Sequence, residues 1–254
     1  MLHKMHLKED PFKKIKNSSK TVELRLNDEK RQKVQIGDFI EFSCLDEPKQ
    51  KIQTRVTSLH HFGSFAELFT AIPKEKFGYA SDETSNSNFM DEYYTREEQE
   101  KYGVLGIELY CTDLQKFIDA QDYGYGFGET YQTALTEMKQ GEKISHWIWY
   151  VFPQIKGLGI SGTTAYFSIK DLAEAKDYYA HPILGTRLLE ITEELLNIKT
   201  DDSMTVFGYP DAFKVRSCMT LFKHAAPEQE LFQKVLDKFC RGVEDEKTLK
   251  ILGL

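Results

Sequence analysis

Residues 20–25 read Lys-Thr-Val-Glu-Leu-Arg, and their charged side chains recur with the two-residue period of an extended strand. Val22, Leu24 and Leu26 fall on one face, and Thr21, Glu23 and Arg25 on the other. Lys20 enters the strand, and Asp28, Lys30 and Arg31 follow it. A polar face this charged is either a rim of surface ion pairs or the floor of a polar pocket. In a pocket, Arg25 offers a planar fork suited to a phosphate or a base edge. Glu23 can accept from an exocyclic amine, as acidic side chains do with cytosine. Lys20 and Glu23 are the candidates for proton transfer, since a lysine shielded from solvent can act as a general base. Opposite charge beside that lysine argues for binding over nucleophilic catalysis. Lys30 and Arg31 extend the basic face, and Tyr93, Tyr94 and Tyr102 are candidates to stack on a base.

A second group of polar residues is set among aromatics: His146, Gln154, Ser161, His181, Arg187, Asp211, Lys214 and Ser217. If they converge, they form a polar pocket walled by Trp147, Trp149 and Tyr166. A His, Ser and Asp triad is conceivable. Gly159-Ile160-Ser161-Gly162 lacks the spacing of a nucleophile elbow. His181-Pro182 and the Lys214/Ser217 face are candidates to bind an anion at helix N-termini. The competing reading is that these residues are buried polar groups that fix helix packing.

Composition limits the classes. The 254 residues allow one or two domains, and 41% apolar with 13% aromatic residues fits a folded chain. The net charge of −7 argues against a general polyanion binder. Between residues 13 and 33, however, eight basic residues face three acidic ones, a local +5 that is either a solvated face or an anion-contact surface. The longest apolar run, residues 147–152, is far short of the roughly 18 that a membrane span needs. The first residues contain no apolar signal core. Cys44, Cys111, Cys218 and Cys240 are widely spaced, so neither a metal knuckle nor a disulfide framework is expected, and a cytoplasmic location is. No cofactor or metal is expected.

The elements that must position these residues change character near residue 111. Before it, strands are expected at 21–26, 39–44, 52–59 and 104–110, with a helix from Asp10-Pro11. Ser64/Glu67 and Thr95/Glu98 mark capping boxes. Residues 79–92 are polar and weakly patterned, as in a mobile loop. After residue 111, helical spacing takes over: 112–121, 129–139 ending at Gly141, 168–180, 182–197, 210–224, 227–241 and 244–252. The glycine-rich stretches at 124–128 and 157–159 read as loops, not dinucleotide fingerprints.

The segment Lys20-Thr21-Val22-Glu23-Leu24-Arg25, with Asn27-Asp28-Glu29-Lys30-Arg31 and Gly37-Asp38, resembles the ASCH family, small domains similar to the PUA RNA-binding fold. The resemblance covers roughly residues 5–110. It implies a β-barrel whose motif strand lines a cleft that binds RNA or a nucleobase-like ligand. Some small bacterial members resembling this chain hydrolyse the acyl amide of N4-acetylcytidine with a lysine, a threonine three residues later and a distal glutamate. Lys20 matches the lysine, Glu23 stands in the threonine's place, and Glu67 and Glu75 are both open for the glutamate. Further on, His146-Trp147-Ile148-Trp149-Tyr150-Val151-Phe152-Pro153-Gln154, residues 180–188, Phe207-Gly208-Tyr209-Pro210-Asp211 and residues 214–222 closely resemble a catalogued family of unknown function, sometimes labelled calpastatin-like. That resemblance implies an all-helical domain and no particular reaction.

The expected architecture is an α+β, PUA-like barrel with short helices over residues 1–111 and an all-α domain over 112–254. The expected function is binding of RNA or a nucleotide or nucleoside through Lys20, Glu23 and Arg25, with a protein partner conceivable at the helical half. The alternatives are amide hydrolysis on acylated cytidine-type nucleosides through Lys20, nucleotide processing in the helical half, and a scaffold without a small ligand.

Overall fold

A single five-stranded sheet organises the first part of the chain. Its strands are β1 (Leu2–Leu7), β2 (Val22–Leu26), β3 (Phe39–Cys44), β4 (Lys51–Phe62) and β5 (Val104–Thr112), in the spatial order β1-β3-β4-β5-β2. β1 runs parallel to β3, and every other pairing is antiparallel. This computed structural model describes residues 1–84 and 86–254. The chain divides into two compact units, Met1–Gln115 and Lys116–Leu254.

The sheet curls into a half-barrel and buries apolar side chains on both faces. Met5, Leu7, Ile40, Phe42, Leu105 and Ile107 form one core with Phe12 and Ile15 of helix α1 (Glu9–Lys16). Val22, Leu24, Leu26 and Val104 form a second core with Phe65 and Leu68 of helix α2 (Phe65–Ala71) and with Phe77 and Met90. Successive side chains on β5 therefore alternate between two cores, not between core and water. β1 and β2 are the two sheet edges. The main-chain carbonyls of β1 are covered by side chains: His6 O accepts from Arg25 at 2.8 Å and Lys4 O from Lys30 at 3.1 Å. Covering an edge in this way stops it from templating a foreign strand.

Several elements depart from sequence expectation. β1 has the burial alternation of a strand, but its inward positions are His3, Met5 and Leu7, and a histidine in the register hides the pattern. α1 starts at Glu9, which places Pro11 in the third position instead of the first. Thr112 closes β5 opposite Gln53, and helix α4 (Gln115–Tyr123) begins three residues later. The Thr95 capping box opens helix α3 (Arg96–Tyr102) as expected, with both reciprocal bonds present.

The second unit is helical. It comprises the remainder of α4 and helices α5 (Tyr131–Gln140), α6 (Ile148–Val151), α7 (Gly162–Tyr166), α8 (Leu172–Ala180), α9 (Leu184–Asn197), α10 (Ser203–Phe207), α11 (Asp211–Ala225), α12 (Leu231–Cys240) and α13 (Glu246–Leu252). α11 packs against α8, α10, α12 and α13, and Val215, Cys218, Met219, Leu221 and Phe222 along it are buried. No helix among the described residues is long and apolar enough to cross a membrane.

One buried carboxylate ties the unit's first helices together. Glu137 on α5 accepts from the Ile144 and Ser145 N–H groups at 2.9 and 3.1 Å, the Ser145 hydroxyl at 2.6 Å and Trp147 Nε1 at 2.7 Å. Burial pushes the Glu137 carboxyl up, but these donors outweigh it and hold it below the usual range. A carboxylate depressed in the folded state contributes stability above its unfolded pKa, and that contribution is lost as pH falls through the folded value. Fluorescence unfolding, which reports this unit because both tryptophans lie in it, is expected to lose stability below about pH 4. Glu137→Gln should cost about 2–3 kcal/mol at pH 7 and flatten that acid dependence.

Candidate functional site

The charged face of β2 lies on the side of the sheet that carries the first core. Glu23 pairs in register with Ile107, and Arg25 with Leu105. Curling of the sheet therefore turns Lys20, Glu23 and Arg25 away from bulk water, leaving Lys20 8% and Glu23 4% exposed. The Glu23 carboxylate stands between two cations, with Lys20 Nζ 3.2 Å from Oε2 and an Arg25 terminal nitrogen 3.0 Å from Oε1. That nitrogen also donates to His6 O, and the other terminal nitrogen makes a long 3.5 Å contact with the Tyr94 hydroxyl. Burial works against the Arg25 charge, but Glu23 first and Tyr94 next more than compensate and hold the guanidinium protonated. Arg25 Nε and Glu23 Oε2 are buried without hydrogen-bond partners. Lys20 Nζ has Glu23 as its ion partner and completes no hydrogen bond with it.

These groups line a cavity of about 500 Å³, the size of a small-ligand pocket. Its walls come from β1 (His6, Leu7), α1 (Pro11, Lys14), the Phe77-Gly78-Tyr79 segment and residues 89–94. The aromatic side is ordered by ring packing. Tyr94 stacks on Phe65 with centroids 5.6 Å apart, and Phe89 meets Tyr93 edge-on at 6.4 Å. Lys8 Nζ donates to the Tyr93 hydroxyl at 2.9 Å and lies 4.7 Å from the ring centroid. Tyr93 and Phe89 keep 47% and 37% of their surface exposed, so ring area is left for a ligand. Burial raises the Tyr79 hydroxyl above its ordinary pKa, so it is a neutral donor at pH 7.

Not every residue singled out from the sequence reaches this cavity. Lys30 is spent on Lys4 O, and Arg31 pairs with Asp28 at 2.6 Å. Tyr102 packs against the second core beneath Lys101. Glu67 accepts from the Gly63 N–H at 3.0 Å, and neither it nor Glu75 lines the cavity. Sequence reasoning missed Lys8, Phe77, Tyr79 and Phe89, and counted Lys14 only within the basic run of residues 13–33. The available signal was the aromatic residues scattered through 77–94, which include the stretch 79–92 expected to be a mobile loop. Within it, Ser87–Glu92 forms a 3-10 turn capped by Asn86 and anchored by Met90, which is 4% exposed. Ser85 lies outside the described residues.

In the helical unit the candidate residues have local structural partners. His181 is 1% exposed, and its Nδ1 accepts from the Ile183 and Leu184 N–H groups at the start of α9, at 3.2 and 3.4 Å. Ser217 donates to Phe213 O at 3.0 Å, within α11. Ser161 caps α7, and Gln154 O accepts from Ile169 N at 2.8 Å. His146 is exposed, and its carbonyl accepts from the Tyr150 hydroxyl at 2.9 Å. Arg187 binds Asp122 at 2.7 Å and lies 5.2 Å from the Tyr131 ring centroid. Lys214 pairs with Asp211 at 2.8 Å and lies 4.5 Å from the Trp149 ring centroid. These ties are those of helix capping and packing. No group of three or more His, Cys, Asp or Glu among the described residues could hold a metal ion.

Residues 111–252 match the family described as "Protein of unknown function (DUF1810)", over more than half of the chain. The chain belongs to the DUF1810 family. Residues 5–113 match the ASCH domain, so an ASCH unit precedes the DUF1810 unit. Among solved structures, the chain is similar to the conserved hypothetical protein Rv1873 from Mycobacterium tuberculosis. The identity is 36% over 56% of this chain and 97% of that one, with a TM-score of 0.53. The hypothetical protein PH0355 is 28% identical over 44% of this chain and 100% of its own, at a TM-score of 0.38. PF0455 from Pyrococcus furiosus is 29% identical over 44% and 97%, at 0.36. No curated protein matches the chain.

Glu23 is the electrostatic centre of the ASCH unit, because removing it leaves two buried cations facing one another. Glu23→Ala is expected to destabilise this unit by about 3–5 kcal/mol. Amide hydrogen exchange along β2 and β5 is the suitable measurement, since both tryptophans lie in the DUF1810 unit. Unchanged protection in β2 would show that the pair of ion contacts does not hold the strand.

Proposed function

We propose that the ASCH unit binds the base of a nucleoside, either free or as an unstacked residue of RNA. The observation that carries this reading is one cavity that joins an exposed aromatic wall, Tyr93 and Phe89, to a charged floor of Lys20, Glu23 and Arg25. A base has an apolar face and a polar edge, and needs both kinds of surface at once. The ASCH family match supports nucleic-acid binding in general terms. A hydrolytic alternative rests on the Lys20–Glu23 contact at 3.2 Å and would act on the amide of an N-acylated nucleoside. With Glu67 and Glu75 away from the cavity, the carboxylates lining it among the described residues are Asp10 and Glu23.

Calorimetric titration with the four ribonucleosides and with a short single-stranded RNA tests the binding reading. At least one should bind. Tyr93→Ala should weaken it by about 1–3 kcal/mol, the worth of one base–aromatic stack. Absence of binding at millimolar ligand would overturn the proposal. Turnover of N4-acetylcytidine that disappears in Lys20→Ala would favour the hydrolytic alternative instead.

A further inference from the structure

One corner of the ASCH cavity has more cationic character than a base requires. Gly78 lies there with φ of +85°, and the stems of two lysines pack on it. A Cβ at this position would fall 3.0 Å from Lys14 Cδ and 3.2 Å from Lys20 Cβ. The Lys20 N–H donates to Lys14 O at 3.0 Å, so α1 and the entry to β2 are joined at the same point. The two lysines therefore enter the cavity from adjacent backbone positions, beside Tyr79.

Each ammonium has a single carboxylate partner, Glu23 for Lys20 and Asp10 for Lys14. Lys20 is buried, with an ion contact to Glu23 and no hydrogen bond completed there. An ammonium carries three donors, so one carboxylate partner leaves capacity for further acceptor oxygens. Lys14 holds Asp10 at 3.0 Å in an i,i+4 pair whose side chains are 37% and 75% exposed, a contact readily exchanged. Among the described residues that line the cavity, Lys8, Lys14, Lys20 and Arg25 outnumber Asp10 and Glu23, while Asp46 and Glu92 lie near Lys8 at the rim and not at the Lys14–Lys20 corner. A phosphate monoester carries about −1.5 to −2 at pH 7 and matches that surplus.

We propose that the Lys14–Gly78–Lys20 corner is a phosphate subsite, so that the ligand of this cavity is a nucleoside phosphate and not an uncharged nucleoside. The inference rests on the base-binding reading above. The phosphate group is shared chemistry between a free nucleotide and an RNA phosphodiester, and the titration separates the two sources.

The full chain is titrated with each ribonucleoside, its 5′-monophosphate and an RNA trinucleotide. At about 50 mM salt the monophosphate should bind roughly tenfold tighter than its nucleoside, with the gap narrowing as salt rises. Lys14→Gln, a change at a partly exposed helix position, should close the gap by weakening the monophosphate. Asp10→Asn, which frees Lys14, should widen it. Circular dichroism confirms that both variants are folded. A gain seen only with the trinucleotide, and lost in Lys14→Gln, assigns the subsite to the phosphodiester. Equal affinity for nucleoside and both phosphorylated ligands overturns the subsite and leaves base binding standing, as does a gap that survives Lys14→Gln. Absence of binding by all three ligands overturns both.

Discussion

The ASCH unit depends on keeping two cations and one carboxylate out of water on the same side of a curled sheet. Glu23 neutralises Lys20 and Arg25 at 3.2 and 3.0 Å, and Arg25 carries that charge across to the far edge strand through His6 O. Backbone hydrogen bonds link each neighbouring pair in the order β1-β3-β4-β5-β2, which leaves β1 and β2 as edges. A side-chain bridge is what spans the interval between them. The cavity opens beside that bridge, and the groups that hold the edges together are also its floor. The ion contacts that stabilise this unit thus also line its cavity, where buried charge in low-dielectric surroundings is strongly coupled.

The DUF1810 unit uses buried polarity differently. Glu137 collects donors from one short stretch, Ile144 to Trp147, and so fixes the chain that follows α5. His181 serves the start of α9, and Arg187 ties α9 to α4 through Gln121 and Asp122. Such groups are satisfied by the helices themselves. Both a polar pocket and helix-packing groups were open from the sequence, because histidine, serine, aspartate and arginine supply capping and catalysis with the same atoms. Deciding between those roles takes the identity of each partner, which sequence spacing does not contain.

The legible parts of the fold were those coded over a few residues. Thr95 with Glu98 and Gly141 at φ +87° mark helix ends by local chemistry where their residue types place them, whereas at Ser64 only half of the expected box forms, because Glu67 accepts from the Gly63 N–H instead of the Ser64 N–H. The strand at β2 was legible because its period is two. β1 was not, because His3 occupies an inward position that is 9% exposed and pairs with Asp38 at 2.7 Å. The aromatic wall was also illegible: Phe77, Tyr79, Phe89 and Tyr93 have no common period and are brought together only by packing around Phe69 and Met90.

By itself, the sequence determined which residues of β2 share a face, where many helices start and stop, and the two families from which the units come. Those properties follow from backbone geometry and local hydrogen bonding, which act over three or four positions. Only the tertiary structure decided that the charged face of β2 turns inward, that Lys14 and Lys20 meet at Gly78, and that Lys30, Arg31 and Tyr102 do not line the cavity. Those outcomes depend on the curl of the sheet and on contacts between residues tens of positions apart.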